Sequence, residues 1–219
     1  MMNGTTHAEA PLPISAKDRI RFQPGVDEGT FDQDARTYFL AVPSIQAKLR
    51  LDREIKVECY DPSRDEFRDA LIAYAGEKHG DTPERTEVAN FLTEYYASPP
   101  PEAVDLETIA DPDQKAHAEV ANRENAARRA KFGDFVNEAY RRSRDYREIA
   151  EASTYHGRMT RLISIKLFVR DFANLSGPCR TRNGLLTDES LALIPNEDIG
   201  PLATRIEQLM APSEGQKKS

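Results

Sequence analysis

The sequence predicts a mainly α-helical protein: an N-terminal β-hairpin followed by a multi-helix bundle, α+β with little β. Three observations predict it. Two short apolar and aromatic runs, residues 17–22 and 36–42, are separated by Pro24, Gly25 and Gly29, which suits strands joined by a turn-rich connection. Residues 114–175 contain no proline and only two glycines, Gly133 and Gly157. Apolar residues there recur at intervals of three and four, the period of one helix face. An isolated hairpin is marginal in water, so the two strands must lie on a helix.

Helix boundaries follow from caps and breakers. Ser44 after Pro43 is a helix N-cap, its hydroxyl placed to accept from an orphan first-turn amide. Ile45, Leu49, Leu51 and Ile55 then carry an uneven stripe to Glu58. Asp61-Pro62-Ser63 is a turn and cap, opening a helix to about Lys78 through Phe67, Leu71, Ile72 and Ala75. Thr82-Pro83 opens a third, with Val88, Phe91, Leu92 and Tyr95 on its buried face. Ser98-Pro99-Pro100-Pro101 cannot continue a helix, and acidic residues follow as far as Asp113.

The long helical segment begins at Gln114. Its first part is alanine-rich and charged, and a firmer stripe starts at Phe132, Phe135, Val136 and Ala139. The strongest amphipathic run is Met159, Leu162, Ile163, Ile165, Phe168, Val169, Phe172 and Leu175. Gly157 is the expected kink or inter-helix loop, and Ser176-Gly177-Pro178 the stop. Residues 179–184 read as a turn-rich loop. Thr187 caps a short helix ended by Pro195, and Ile199, Leu202, Ile206 and Leu209 form a last amphipathic helix. The expected organisation is a disordered tail (1–13), hairpin plus helices (14–97), a Pro-rich acidic linker (98–113), the long helical segment (114–175), a C-terminal helical segment (176–211) and a polar tail (212–219).

Composition removes several function classes. Charged residues are 31% of the chain, and no 18-residue apolar run exists, so no membrane span is expected. The net charge of −7 argues against blanket nucleic-acid affinity. Residues 122–171 nevertheless carry a local excess of base, with Arg141, Arg142, Arg144 and Arg147 beside Tyr140 and Tyr146. Asp145, Glu148 and Glu151 stand at pairing distance on a helix, so intrahelical ion pairs are the expected use of those arginines. Residues 1–13 have neither a basic n-region nor an apolar h-region, which predicts a cytoplasmic chain.

No chemistry declares itself. The four histidines, His7, His79, His117 and His156, never fall at i, i+4 spacing, and Cys59 and Cys179 lie far apart without a CxxC. Two reduced thiols are expected. Dinucleotide, P-loop, GxSxG and HExxH motifs are absent. No catalytic residue, cofactor or metal ligand is assigned, and the expectation is a non-enzyme working through protein contacts. The candidate contact residues are Met159, Leu162, Ile165, Phe168 and Phe172, as a helix-in-groove face; the plainer reading of the same stripe is a core helix.

Two tracts carry a family resemblance. Leu40-Ala41-Val42-Pro43-Ser44-Ile45, running into a helix with Leu49 and Arg53, resembles a strand-to-helix junction near the start of tail assembly chaperones of long-tailed, siphovirus-like bacteriophages. Leu186-Thr187-Asp188-Glu189, Leu191, Ile194-Pro195, Ile199, Leu202, Ile206 and Leu209, then Pro212-Ser213-Glu214, is similar to the ending of that family. The resemblance implies a non-catalytic protein that coats the tape measure protein during tail assembly and helps recruit tail tube protein, in the host cytoplasm. It also implies a longer frameshifted product, for which Lys217-Lys218 would mark an A-rich slippery run. The alternatives are a structural or adaptor protein retained in the virion, and a nucleic-acid-binding helical protein using Arg141 to Arg147.

Overall fold

A computed structural model of the 219-residue chain describes residues 19–27 and 29–211. The expected tails at 1–13 and 212–219, the start of the first strand, His7 and Lys217-Lys218 lie outside the described residues. In chain order the elements are β1 (Arg19–Phe22), β2 (Thr37–Ala41), α1 (Ile45–Glu58), α2 (Arg64–His79), α3 (Pro83–Ala97) and a 3-10 turn (Leu106–Thr108). There follow α4 (Pro112–Arg142), α5 (Arg144–Phe168), β3 (Val169–Ala173), β4 (Thr181–Arg182), β5 (Leu185–Leu186), α6 (Asp188–Leu191) and α7 (Asn196–Met210). The fold is mainly helical, with an N-terminal hairpin and a multi-helix bundle. No helix among the described residues is long and apolar enough to cross a membrane.

The chain divides into two compact units. One holds the described residues up to Cys59 and those from Gly157 onward; the other spans Tyr60–His156. The break at Ser98–Pro101 therefore falls inside the second unit, and the predicted 114–175 segment is divided between the two.

In the first unit β1 and β2 pair antiparallel, Ile20 opposite Leu40 and Phe22 opposite Tyr38. The buried Gln23 side chain stitches the connection, donating to the Asp32 carbonyl and the Thr37 hydroxyl, both at 2.7 Å. β3 then adds antiparallel to the other edge of β2, making a three-stranded sheet in the order β1-β2-β3. This corrects the expectation of a helix to Leu175: α5 stops at Phe168 and Val169–Ala173 is a strand.

The register shows why the spacing misleads. Phe172 faces Tyr38 and Val169 faces Leu40, with an irregularity between Phe39 and Leu40. A strict strand would turn residues three apart to opposite faces; the extra residue of a bulge returns both to the core. The i, i+3 spacing is a strand with a bulge. Tyr38, Leu40, Phe168, Val169, Leu186, Leu202 and Ile206 form the centre of this core.

The second unit is helical. Ser63 and Glu66 make a reciprocal capping box at the start of α2, and Leu71, Tyr74, Ala75 and Leu92 bury the α2–α3 contact. Tyr95 stacks on Phe132 of α4 with centroids 3.9 Å apart, and Tyr74 packs on Phe135. The linker is docked by Asn122, which donates to the Val104 carbonyl at 2.8 Å and accepts from the Val104 amide at 2.9 Å.

The break between the two long helices is at Ser143, not at Gly157, which lies within α5. Ser143 leaves α4 with extended backbone, its amide still bonded to the Ala139 carbonyl. Its hydroxyl then accepts from the Tyr146 amide at 3.3 Å, capping α5. One buried serine ends one helix and starts the next. Within residues 179–184, expected as a turn-rich loop, Thr181–Arg182 is the strand β4, paired antiparallel with β5.

Candidate functional site

The fold divides the five predicted contact residues. Ile165 and Phe168 are fully buried, and Phe172 is buried in β3 opposite Tyr38. These three are core. Met159 and Leu162 are half-buried and line a cavity of about 250 Å³ with Ile163, Leu167, Leu185 and Leu191. Glu54 and Glu58 of α1 form one rim of this cavity, and Lys166 and Asp188, paired at 2.6 Å, another.

The local sequence builds this cleft. Leu51 and Ile55 turn one face of α1 into the core, which carries Glu54 and Glu58 to its flank. The Asn183-Gly184 turn, with φ of 54° and 74°, lets β5 double back so that Leu186 enters the core and Leu185 the cleft. Thr187 caps α6 by accepting from the Ser190 amide, which sets Asp188 and Leu191 at the mouth. On the outer side of α1, Ile45, Leu49 and Val57 are 78%, 64% and 75% exposed.

No family model, curated protein or solved structure matches this chain. The site stands on its own geometry.

The other candidates of the sequence have local partners. Arg144 pairs with Glu148 at 2.7 Å and Arg142 approaches Glu138 at 3.8 Å. Arg147 donates to the carbonyls of Tyr140 at 3.0 Å and Arg141 at 2.8 Å, closing the end of α4. Because Ser143 bends the chain between them, Arg141 and Arg144 belong to different helices and make no continuous basic face. His117 bonds the Asp113 carbonyl at 2.7 Å and His156 lies 3.9 Å from Asp61. Among the described residues no three His, Cys, Asp or Glu side chains gather as a metal site. Cys59 and Cys179 are both half-buried, Cys59 donating to the Ile55 carbonyl at 3.4 Å, and burial pushes the Cys179 thiol up.

Arg36, Tyr38 and Asp198 form a cluster around a buried carboxylate. Asp198 is 1% exposed, accepts from the Tyr38 hydroxyl at 2.6 Å and faces the Arg36 guanidinium at 2.9 Å. Burial, then the hydrogen bond to Asp198, hold the Tyr38 phenol well above its ordinary range. With Tyr38 and Asp198 buried and Arg36 reaching in from the surface, the cluster fastens β2 to the first turn of α7. Sequence reading missed it; Asp198 in a helix first turn resembles any other dipole-matching acid.

Proposed function

We propose that this protein acts without catalysis, by binding another protein: a tail assembly chaperone of a long-tailed bacteriophage that holds the tape measure protein and helps recruit tail tube subunits. The observation that carries the reading is where the two resembling tracts lie. They are separated by the whole of the second unit, yet Leu40 of one and Leu186, Ile194, Leu202 and Ile206 of the other share a single core. A second support is the apolar surface this unit offers, in the cleft at Met159 and Leu162 and along α1 at Ile45, Leu49 and Val57. Apolar patches bounded by charge suit reversible binding of an apolar partner.

Affinity purification of the tagged full chain from infected or co-expressing cells tests it, read by mass spectrometry and the absorbance ratio at 260 and 280 nm. A long coiled-coil-forming phage protein, recovered free of nucleic acid, is the expected result. Purification of the chain alone, or with nucleic acid that salt removes, overturns it. In the second case, loss of that nucleic acid on reversing Arg141, Arg142, Arg144 and Arg147 to Glu would favour the nucleic-acid reading instead.

A further inference from the structure

The cleft on the first unit has a chemical asymmetry. Its lining is aliphatic, from Met159, Leu162, Ile163 and Leu167 of α5, Leu185 of β5 and Leu191 of α6. At about 250 Å³ it is smaller than typical small-molecule sites of ~300–1,000 Å³ and of a size for inserted side chains. Along α1 the edge is acidic, with Glu54 and Glu58 one helical turn apart. Arg50 reaches Glu54 only at 3.5 Å in a water-exposed pair, a weak interaction that a partner can replace. Lys166 is held by Asp188 at 2.6 Å rather than by either glutamate, so among the described residues Arg50 on Glu54 is the one basic partner this edge shows. Beyond Leu162 the neighbouring cavity is lined by Arg158 and Arg161, so the acidic edge belongs to the α1 side alone.

We propose that this cleft takes the apolar face of a basic amphipathic helix from a partner protein. Leucine-like side chains at i, i+3 and i+4 enter between Met159, Leu162 and Leu191, and lysines or arginines on the α1 flank meet Glu54 and Glu58. The net charge of −7 steers the same class of partner toward the protein. The proposal rests on the partner-binding reading above and adds the contact face and the chemistry of what it holds.

The probes are two synthetic peptides, each about 20 residues so that a helix can form, sharing one leucine stripe. One carries lysine on the flanking positions and the other glutamate. Fluorescence anisotropy against the full chain is expected to show saturable binding of the lysine peptide and none of the glutamate peptide. Leu162→Gln should weaken binding of the lysine peptide by about tenfold, the scale of a central contact, and the double variant Glu54→Gln/Glu58→Gln should weaken it by about threefold and reduce its salt dependence. Glu54 and Glu58 lie at the rim, so the double variant keeps its thermal melt and reports recognition alone. Equal affinity for the two peptides, equal affinity of wild type and both variants, or no binding to wild type overturns the proposal. The same variants go through the co-purification. A partner retained equally by wild type and both variants overturns the cleft and leaves the partner-binding reading standing; a wild type that captures no protein overturns that reading.

Discussion

Tyr38 and Asp198, 160 positions apart, share a hydrogen bond of 2.6 Å in which the phenol donates to a carboxylate that is almost wholly out of water. The contact joins the central strand of the sheet to α7, and Arg36 spans the carboxylate, Nε lying 2.9 Å from the oxygen that Tyr38 uses and Nη2 donating to the other at 3.1 Å. Removing one member of a buried polar pair leaves the other unsatisfied, which costs more than the bond itself contributed. Asp198→Ala is therefore expected to destabilise the protein by about 3 kcal/mol, and Tyr38→Phe, which leaves Asp198 with Arg36, by about 1–2 kcal/mol. Urea unfolding of the two single variants and the double variant measures both values and their coupling. An Asp198→Ala protein as stable as wild type would show that the cluster holds nothing.

The same bond makes stability depend on pH at the alkaline end. A tyrosine in the unfolded chain ionises near 10. In the folded protein burial and the Asp198 carboxylate keep Tyr38 protonated well beyond that, and burial pushes Tyr96 up to about 12. The folded state thus binds these protons more tightly than the unfolded state. Their stabilisation is complete below about pH 10 and is lost as pH rises from there through the folded values. Urea midpoints between about pH 9 and 12 should fall for wild type and fall less steeply for Tyr96→Phe. The difference in phenolate absorbance between wild type and Tyr38→Phe should appear only as the fold is lost; a difference that appears with the native circular dichroism intact would contradict the assignment.

Much of this fold is legible in the sequence where a residue acts through its neighbours. Ser44, Ser63 and Thr187 each cap a helix through the hydroxyl–amide bond that their position predicts. The hairpin shows itself by β-branched and aromatic residues around a Pro-Gly turn. What is not legible depends on distant partners. Val169 and Phe172 carry helical spacing, and only pairing with β2 makes that spacing a bulged strand. The same burial takes Ile165, Phe168 and Phe172 out of the candidate contact face, while leaving Met159 and Leu162 at the cleft. Two misses had local signals. Ser143 with Asp145 two residues on is a helix start, and Asn183-Gly184 between Thr-Arg and Leu-Leu is a hairpin turn. The site itself is a tertiary product: Glu54 and Leu162 are on separate helices, and no spacing rule links them.

The β4–β5 turn tests how strongly that hairpin is specified. Gly184 sits at φ +74°, where a Cβ meets only Arg170 at 3.9 Å, so space is not the constraint. The backbone is. A left-handed conformation costs a non-glycine residue roughly 1–2 kcal/mol, less for asparagine. Gly184→Ala is expected to destabilise by about 1 kcal/mol and Gly184→Asn by less. Thermal melts of the pair rank them; the reverse order would mean the turn relaxes to another form.

The division into two units predicts where damage stays. Leu92 is fully buried between α2, α3 and their neighbours, in a core made of second-unit residues: Leu71, Tyr74, Ala139 and Tyr146. Truncating a buried leucine removes its transfer energy and leaves a cavity, and Leu92→Ala is expected to cost about 3 kcal/mol. Leu40 and Phe168 belong to the other core and lose no contact. Hydrogen exchange of wild type and variant should therefore show protection falling in α2, α3 and α4, with β2 and α7 unchanged. Because α5 supplies Tyr146 to one core and Phe168 to the other, its two ends should separate, the N-terminal turns loosening with α2 while the last turns keep wild-type protection. Uniform loss across β2 and α7 would instead make the chain one cooperative body, with α5 carrying the coupling from one core to the other.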